Sequence, residues 1–188
     1  VAPRPAHPCP AERAGAGAAS PGERVGGQPE LVELGDAGHE LIAEAGLTYH
    51  ADWVHDDVPV PILVPGRRMV SMPYSYDLND APLWDGRPYG GRYFVDVCKA
   101  AFDRLYAESA DGGRVFCIAL HPYQIGQPHH IGHLREILDH ICAHDGVWHA
   151  TGDEIAAHYL DNHYDEHVRH GAEVAAQAAE VAAARPAV

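Results

Sequence analysis

Lysine is almost absent from this sequence, since Lys99 is the only lysine among its 188 residues. Lysine and arginine together number 13 against 27 aspartates and glutamates, which gives a formal net charge of −14. A nucleic-acid-binding protein needs clustered basic side chains that replace the counterions of the phosphate backbone. The charge balance therefore excludes nucleic acid as a partner.

Cysteines and long apolar runs are also scarce. The four cysteines show neither Cys-x-x-Cys spacing nor the density of a disulfide scaffold, so we expect a reducing, cytoplasmic location. No apolar run approaches the roughly 20 residues of a membrane span, and we expect no membrane partner. The length and the hydrophobic fraction of 46% suit one domain with a real core.

The sequence pattern divides the chain into three parts. Residues 1–28 contain five prolines and no hydrophobic periodicity, which predicts a disordered or spurious arm. Residues 29–165 alternate strand and helix patterns and predict a parallel α/β sheet, whereas 166–188 form an Ala/Glu-rich tail. The predicted helices cover about 37–45, 91–109, 131–144 and 151–160, and the predicted strands cover 47–52, 69–74, 114–120 and 147–150, with 58–66 as a loop.

A histidine stands where an apolar run ends. Phe116–Leu120 predict a buried strand, His121 follows, and Pro122 forbids continuation of the strand ladder. In barrels of alternating strands and helices, chemistry is placed at the carboxyl ends of the strands. An imidazole there can transfer a proton near neutral pH, and the alternative is a histidine that only caps the strand.

Three segments follow one another along the chain: Ala45–Asp57, with Asp52-Trp53; Val70–Asp80, with Asp77 near its end; and Leu120–His129, with the pattern Leu-His-Pro and then Gln-Ile-Gly-Gln-Pro-His. In this order they resemble the polysaccharide deacetylase (NodB-like) family and its allantoinase-like and cyclic-imide-hydrolase-like branch, which has glutamate at the place of Asp77. The resemblance covers roughly residues 24–161. It implies the C-terminal portion of a (β/α) barrel of the glycoside hydrolase/deacetylase type, and a hydrolase of carbon–nitrogen bonds other than peptide bonds.

The resemblance also implies roles for individual residues. His121 would be the general acid that protonates the leaving nitrogen, and a carboxylate such as Asp52 would orient its imidazole. The alternative for Asp52 is a cap at the end of a strand, and Trp53 would be a pocket wall or a core residue. The predicted substrate-binding residues are Trp53, Tyr74, Asn79, Tyr123 and His129, and Tyr76 and Asp80 could add further hydrogen bonds.

Two family motifs are not found before the matched region: Thr-Phe-Asp-Asp-Gly, which supplies the base and a metal ligand, and a His-x-x-x-His metal pair. We therefore expect the C-terminal half of such an enzyme, inactive by itself and without a metal of its own. The resemblance allows zinc, or another divalent metal, only in the full-length family enzyme. The adjacent carboxylates Asp56 and Asp57 favour a solvated turn over a metal pair.

Fifteen histidines make pairs at metal-ligand spacing expected by chance. Three pairs have the i, i+4 spacing that can share a metal on one helical face: His129 with His133, His140 with His144, and His163 with His167. None has a carboxylate ligand beside it in the sequence context of the family. We expect His140 and His144 to be exposed on the polar face of their helix.

The expected substrate is a small molecule, either a cyclic amide, ureide or imide, or an N-acetylated sugar. A half-barrel would expose strand edges and apolar helix faces, which predicts self-association into a homo-oligomer. Two alternatives stay open at this point. The chain could be a non-catalytic remnant that serves as a binding or assembly module, or a histidine-rich metal-binding protein.

Overall fold

The computed structural model describes residues 36–84 and 90–183. The described helices are α1 (Asp36–Glu44), α2 (Asp80–Trp84), α3 (Gly91–Glu108), α4 (Pro122–Ile125), α5 (Ile131–Cys142), α6 (Gly152–Asn162) and α7 (Tyr164–Ala183). The described strands are β1 (Tyr49–His50), β2 (Val60–Val64) and β3 (Arg67–Ser71), and a 3₁₀ turn covers Ser109–Asp111. Contacts divide the described chain into two compact units. The predicted arm at 1–28 lies outside the described residues.

The first unit contains residues 51–58, 73–84 and 90–151 of the described chain. Its core forms between α3 and α5, because both helices repeat apolar residues at helical spacing. Phe94, Val95, Cys98 and Ile137 are fully buried there. Burial raises the pKa of the Cys98 thiol to about 12, so this cysteine is a packing residue rather than a nucleophile.

The second unit contains residues 36–50, 59–72 and 152–183 of the described chain. Its three-stranded sheet has the order β1-β3-β2, with β1 parallel and β2 antiparallel to β3. Met69 and Val70 of β3 are fully buried, and Tyr159 of α6 packs in the cluster of Val70. The sheet is therefore covered by helices that follow it far along the chain.

The helix predictions are confirmed to within a few residues, but the strand predictions are partly wrong. The segment expected as a loop at 58–66 contains β2, which pairs with β3 through a two-residue turn at Pro65 and Gly66. Pro61 is tolerated because β2 lies at the sheet edge, where a missing N–H costs no ladder bond. Gly66 has φ +68°, a conformation that suits glycine.

The predicted strands at 114–120 and 147–150 are not strands within the described residues. The first of these segments makes a single parallel bridge, between Ala119 and Asn79. The sheet expected to be parallel is therefore mixed where it is described. The described residues contain both helices and strands, as an α/β fold requires, but they do not form a closed barrel.

The packing between α3 and α5 gives the first prediction. Ile137 is fully buried, so Ile137→Ala should lower the free energy of unfolding by about 2–5 kcal/mol through lost burial and a residual cavity. Ile131→Ala in the same helix removes the same atoms from a side chain that is 47% exposed, and is the control. Urea denaturation followed by circular dichroism measures both variants. Equal losses would contradict the assignment of this core.

Candidate active site

His121 is held by a buried carboxylate, Asp80. The Nδ1 atom of His121 lies 2.6 Å from Oδ1 of Asp80, and the backbone N–H of His121 donates to both carboxylate oxygens at 3.1 and 2.9 Å. Asp80 is fully buried, whereas the His121 side chain is 24% exposed. A buried carboxylate is stable only when hydrogen bonds replace its water, and His121 supplies them from both backbone and ring.

Backbone hydrogen bonds bring the two residues together from 41 positions apart in the sequence. Asp80 donates its N–H to the carbonyl of Ala119 at 3.2 Å, and Ala119 donates to the carbonyl of Leu78 at 2.9 Å. These bonds form the parallel bridge between Asn79 and Ala119. They align the Asn79-Asp80 pair with the end of the segment that leads to His121.

Asn79 is committed to the structure on two sides. Its side-chain oxygen accepts from the N–H of Ala81 at 3.1 Å, the type of bond that caps a helix N-terminus. Its side-chain nitrogen donates to the hydroxyl of Tyr74 at 2.9 Å, and Asn79 is 7% exposed. Asn79 therefore fixes the start of α2, the helix that opens with Asp80.

The ring of His121 has one nitrogen left for a substrate. A carboxylate can only accept, so its contact with Nδ1 selects the tautomer with hydrogen on Nδ1 and leaves Nε2 as the ring nitrogen that the carboxylate does not contact. Pro122 begins α4, and the carbonyl of His121 accepts from the N–H groups of Gln124 and Ile125. The backbone of His121 is thus fixed on both sides of its side chain.

The structure changes the assignment of the orienting carboxylate. We expected a carboxylate such as Asp52 beside the imidazole, but the carboxylate at Nδ1 is Asp80. Asp80 follows the Tyr74 motif in the sequence, and we expected it to bind substrate. The sequence signal existed, because Asn79-Asp80 ends a matched motif, but only the bridge to Ala119 shows that this motif adjoins His121. A catalytic role of Asp52 stays a prediction.

Three of the predicted substrate-binding residues, Tyr74, Asn79 and Tyr123, bond one another or lie beside the His121 ring. The other two, Trp53 and His129, are exposed. Tyr74 and Asn79 are hydrogen-bonded with each other, and the Tyr123 ring lies 5.4 Å from the ring of His121. Tyr123 is 63% exposed and Trp53 is 43% exposed, so both have surface available for a ligand. His129 is exposed, with its ring 4.0 Å from that of His130. The binding roles of these five residues stay predictions.

An open hollow of about 490 Å³ lies in the same unit. Its lining includes the carboxylates Asp56, Asp57 and Asp77, the hydroxyl of Tyr74, and Cys117. Burial raises the pKa of the Cys117 thiol, against a smaller lowering by a hydrogen bond from the Ser75 backbone, so this cysteine is a poor nucleophile. His121 is not among the lining residues, and Tyr74 is the contact between the hollow and the Asn79 network.

The neighbourhood of His121 does not fit the divalent metal of the full-length family enzyme. Within the described residues, a single set of three or more histidine, cysteine or acidic side chains is close enough to hold an ion. That set does not include His121 or Asp80, and Oδ1 of Asp80 is already bonded to the imidazole. We derive no catalytic step through a metal at His121.

Removal of the carboxylate gives a second prediction. Asp80→Ala should lower the free energy of unfolding by about 1–3 kcal/mol, because the His121 N–H groups lose their buried acceptor. Asp77→Ala removes an exposed carboxylate three residues away, and should change the free energy by less than about 0.5 kcal/mol. Urea titration of both variants measures the difference. A loss no larger for Asp80→Ala than for its control would contradict the pairing.

Comparisons with known proteins agree on the family that the motifs indicate. No family model matches the chain. A Schizosaccharomyces pombe protein that carries the polysaccharide deacetylase name is 26% identical over 126 residues, which are 61% of this chain and 39% of that protein. The crystal structure of Puue allantoinase is 31% identical with a TM-score of 0.60, over 65% of this chain and 42% of that one.

Two further crystal structures carry the polysaccharide deacetylase name. One from Pseudomonas aeruginosa PAO1 is 31% identical with a TM-score of 0.58, over 65% of this chain and 42% of that chain. One from Mycobacterium smegmatis is 26% identical with a TM-score of 0.59, over 70% and 48%. The chain therefore spans about two fifths to one half of the length of these relatives. The resemblance predicted from the motifs is confirmed: over about two thirds of its length, this chain is similar to polysaccharide deacetylases and to an allantoinase.

Proposed function

We propose that this chain forms part of a hydrolase that acts on carbon–nitrogen bonds other than peptide bonds, with His121 as its general acid. The observation that carries the proposal is the pairing of His121 with the buried carboxylate of Asp80. A histidine that only caps a strand needs no buried carboxylate at its ring. The similarity to deacetylases and to an allantoinase supports the same chemistry.

In the proposed reaction, water adds its oxygen to an amide carbonyl and releases one proton to the solvent, which gives a tetrahedral oxyanion. When the oxyanion returns to a carbonyl, the carbon–nitrogen bond breaks and its electrons go to the leaving nitrogen, and Nε2 of His121, protonated from the solvent, delivers the proton that this nitrogen takes up. Asp80 is a positioning residue: it fixes the ring through Nδ1 and stabilises the imidazolium that must form before the transfer. Its full burial makes this interaction strong, because little water screens it.

The proposed substrate is a small cyclic amide, ureide or imide, or an N-acetylated sugar. The allantoinase among the similar structures favours a small molecule, and the polysaccharide deacetylases favour the sugar. The exposed ring of Tyr123 beside His121 offers an apolar surface for either substrate. We further propose that the fold is a portion of the deacetylase-type (β/α) barrel, which the similarity over about two thirds of the chain supports.

Substitution of the general acid gives a third prediction. In the longest gene product that contains this chain, His121→Asn should lower kcat about a hundredfold or more on cyclic ureides, imides or N-acetylated sugars. His170→Asn changes an exposed histidine of α7 in the second unit, and is the control that should keep the parent's kcat. Circular dichroism checks that both variants fold.

Near-normal turnover by the folded His121→Asn variant would overturn the role of His121. A gene product without turnover on any of these substrates would instead support the alternative of a binding or assembly module.

Asp80→Asn offers an independent check, since it keeps the size of the side chain but removes its charge. We expect it to lower kcat more than it raises KM, because it acts on the proton transfer and not on substrate contacts.

A further inference from the structure

A second histidine–carboxylate contact joins α3 to α5. Nε2 of His140 lies 2.6 Å from Oδ1 of Asp103, and Nε2 of His144 lies 4.0 Å from the same oxygen. His140 lies in the last turn of α5, His144 lies two residues beyond the end of that helix at Cys142, and Asp103 comes from α3. The three ligand atoms lie within 4.8 Å of one another. Among the described residues, this is the group of three such side chains that is close enough to hold an ion.

The tautomer of His144 is fixed in the direction that ligation requires. Its Nδ1 lies 2.8 Å from the carbonyl oxygen of His140, and because a carbonyl can only accept, Nδ1 carries the hydrogen. Nε2 therefore has a free lone pair on the side of Asp103. Metal-binding histidines characteristically donate their second ring N–H to a carbonyl or carboxylate in this way.

Aromatic packing holds both imidazoles in place. The His144 ring lies edge-on to Phe102 at 5.0 Å and to Tyr106 at 4.8 Å, and the His140 ring lies edge-on to Phe102 at 5.8 Å. Each histidine side chain is 27% exposed, so the expectation of exposed histidines is wrong. Phe102 is buried at 4% exposure, and Tyr106 is anchored through its hydroxyl to the carbonyl of Asp145.

An ordinary cross-helix ion pair does not account for this arrangement. One turn earlier on the same two helices, Lys99 and Glu136 form such a pair at 2.7 Å, and Arg92 adds to it. At Asp103 the cation of that pattern is replaced by two imidazoles that converge on one carboxylate oxygen. Two neutral imidazoles and a carboxylate are the donor set of zinc sites with three protein ligands.

We propose that Asp103, His140 and His144 form a zinc site that links α3 to α5 and leaves a fourth position open to water. Tetrahedral zinc at its usual bond lengths separates ligand atoms by about 3.3 Å, so the observed set needs only small side-chain movements. Zinc takes the place of the hydrogen between His140 and Asp103, and the neutral His140 ring carries that hydrogen on Nδ1 instead. The site is independent of the hydrolase reaction proposed for His121.

Zinc titration of the whole 188-residue chain, purified free of metal and without a histidine tag, tests the site. Calorimetry should show one zinc bound per chain. Asp103→Asn, His140→Gln and His144→Gln should each weaken zinc affinity by more than about tenfold, since even the groups that support metal ligands contribute tenfold to a hundredfold.

The control is the double substitution His163→Gln with His167→Gln. This pair has the same i, i+4 spacing, and no third ligand accompanies it within the described residues. It should leave the zinc affinity unchanged. Asp103 is an exposed side chain, so Asp103→Asn keeps the test decisive if a histidine variant fails to fold. Cobalt in place of zinc should give a tetrahedral absorption spectrum that Asp103→Asn removes or changes.

Three results would overturn the proposal. The first is the absence of stoichiometric zinc binding by the folded chain. The second is stoichiometric binding that survives Asp103→Asn and both histidine substitutions, which would place zinc elsewhere on this histidine-rich chain. Zinc binding should also slow amide exchange in α3 and α5 together, as expected of a link between two helices. Exchange slowed in neither helix would contradict the link.

Discussion

The first unit depends on one buried charge. Asp80 is fully buried, and an ionised carboxylate without water is costly unless hydrogen bonds surround it. His121 donates to this carboxylate from its backbone N–H and from its ring. Separating the two residues would therefore leave the buried carboxylate without these hydrogen bonds. The start of α2, the extended segment before His121 and the start of α4 are all positioned around this contact. The proton transfer that we propose for Nε2 depends on that packing.

The bridge between Asn79 and Ala119 explains how so few residues fix this contact. A single parallel bridge would be a weak constraint, but Asn79 and Asp80 each form further hydrogen bonds through their side chains. Asn79 binds Ala81 and Tyr74 through its side chain, and Asp80 binds His121. Each bond restrains the dihedral angles that the next bond requires. The result is a preorganised imidazole, whose orientation does not have to be acquired when a substrate arrives.

The sequence predicted the helices, and pointed to His121, better than it predicted the strands and the carboxylate that contacts His121. Apolar spacing in α3 and α5 is a local property, so Phe94, Cys98 and Ile137 could be identified as core without any other segment. Strand pairing is not local. Pro61 argued against a strand at β2, and only the position of β2 at the sheet edge, beside β3, shows that a proline is tolerated there. Sheet order also decides which carboxylate lies beside His121, so the sequence alone could not show that Asp80 contacts its Nδ1.

The two histidine–carboxylate contacts of the first unit have the same length and different surroundings. Both join an imidazole nitrogen to a carboxylate oxygen at 2.6 Å, yet Asp80 is fully buried and the Asp103 side chain is 54% exposed. At Asp80 the carboxylate also accepts from the backbone N–H of His121, and its full burial leaves no lone pair that faces solvent. At Asp103 the exposed carboxylate keeps oxygen lone pairs for another cation, and a second imidazole lies beside it. Burial, more than residue type or distance, therefore separates the contact that we propose for proton transfer from the one that we propose for zinc binding.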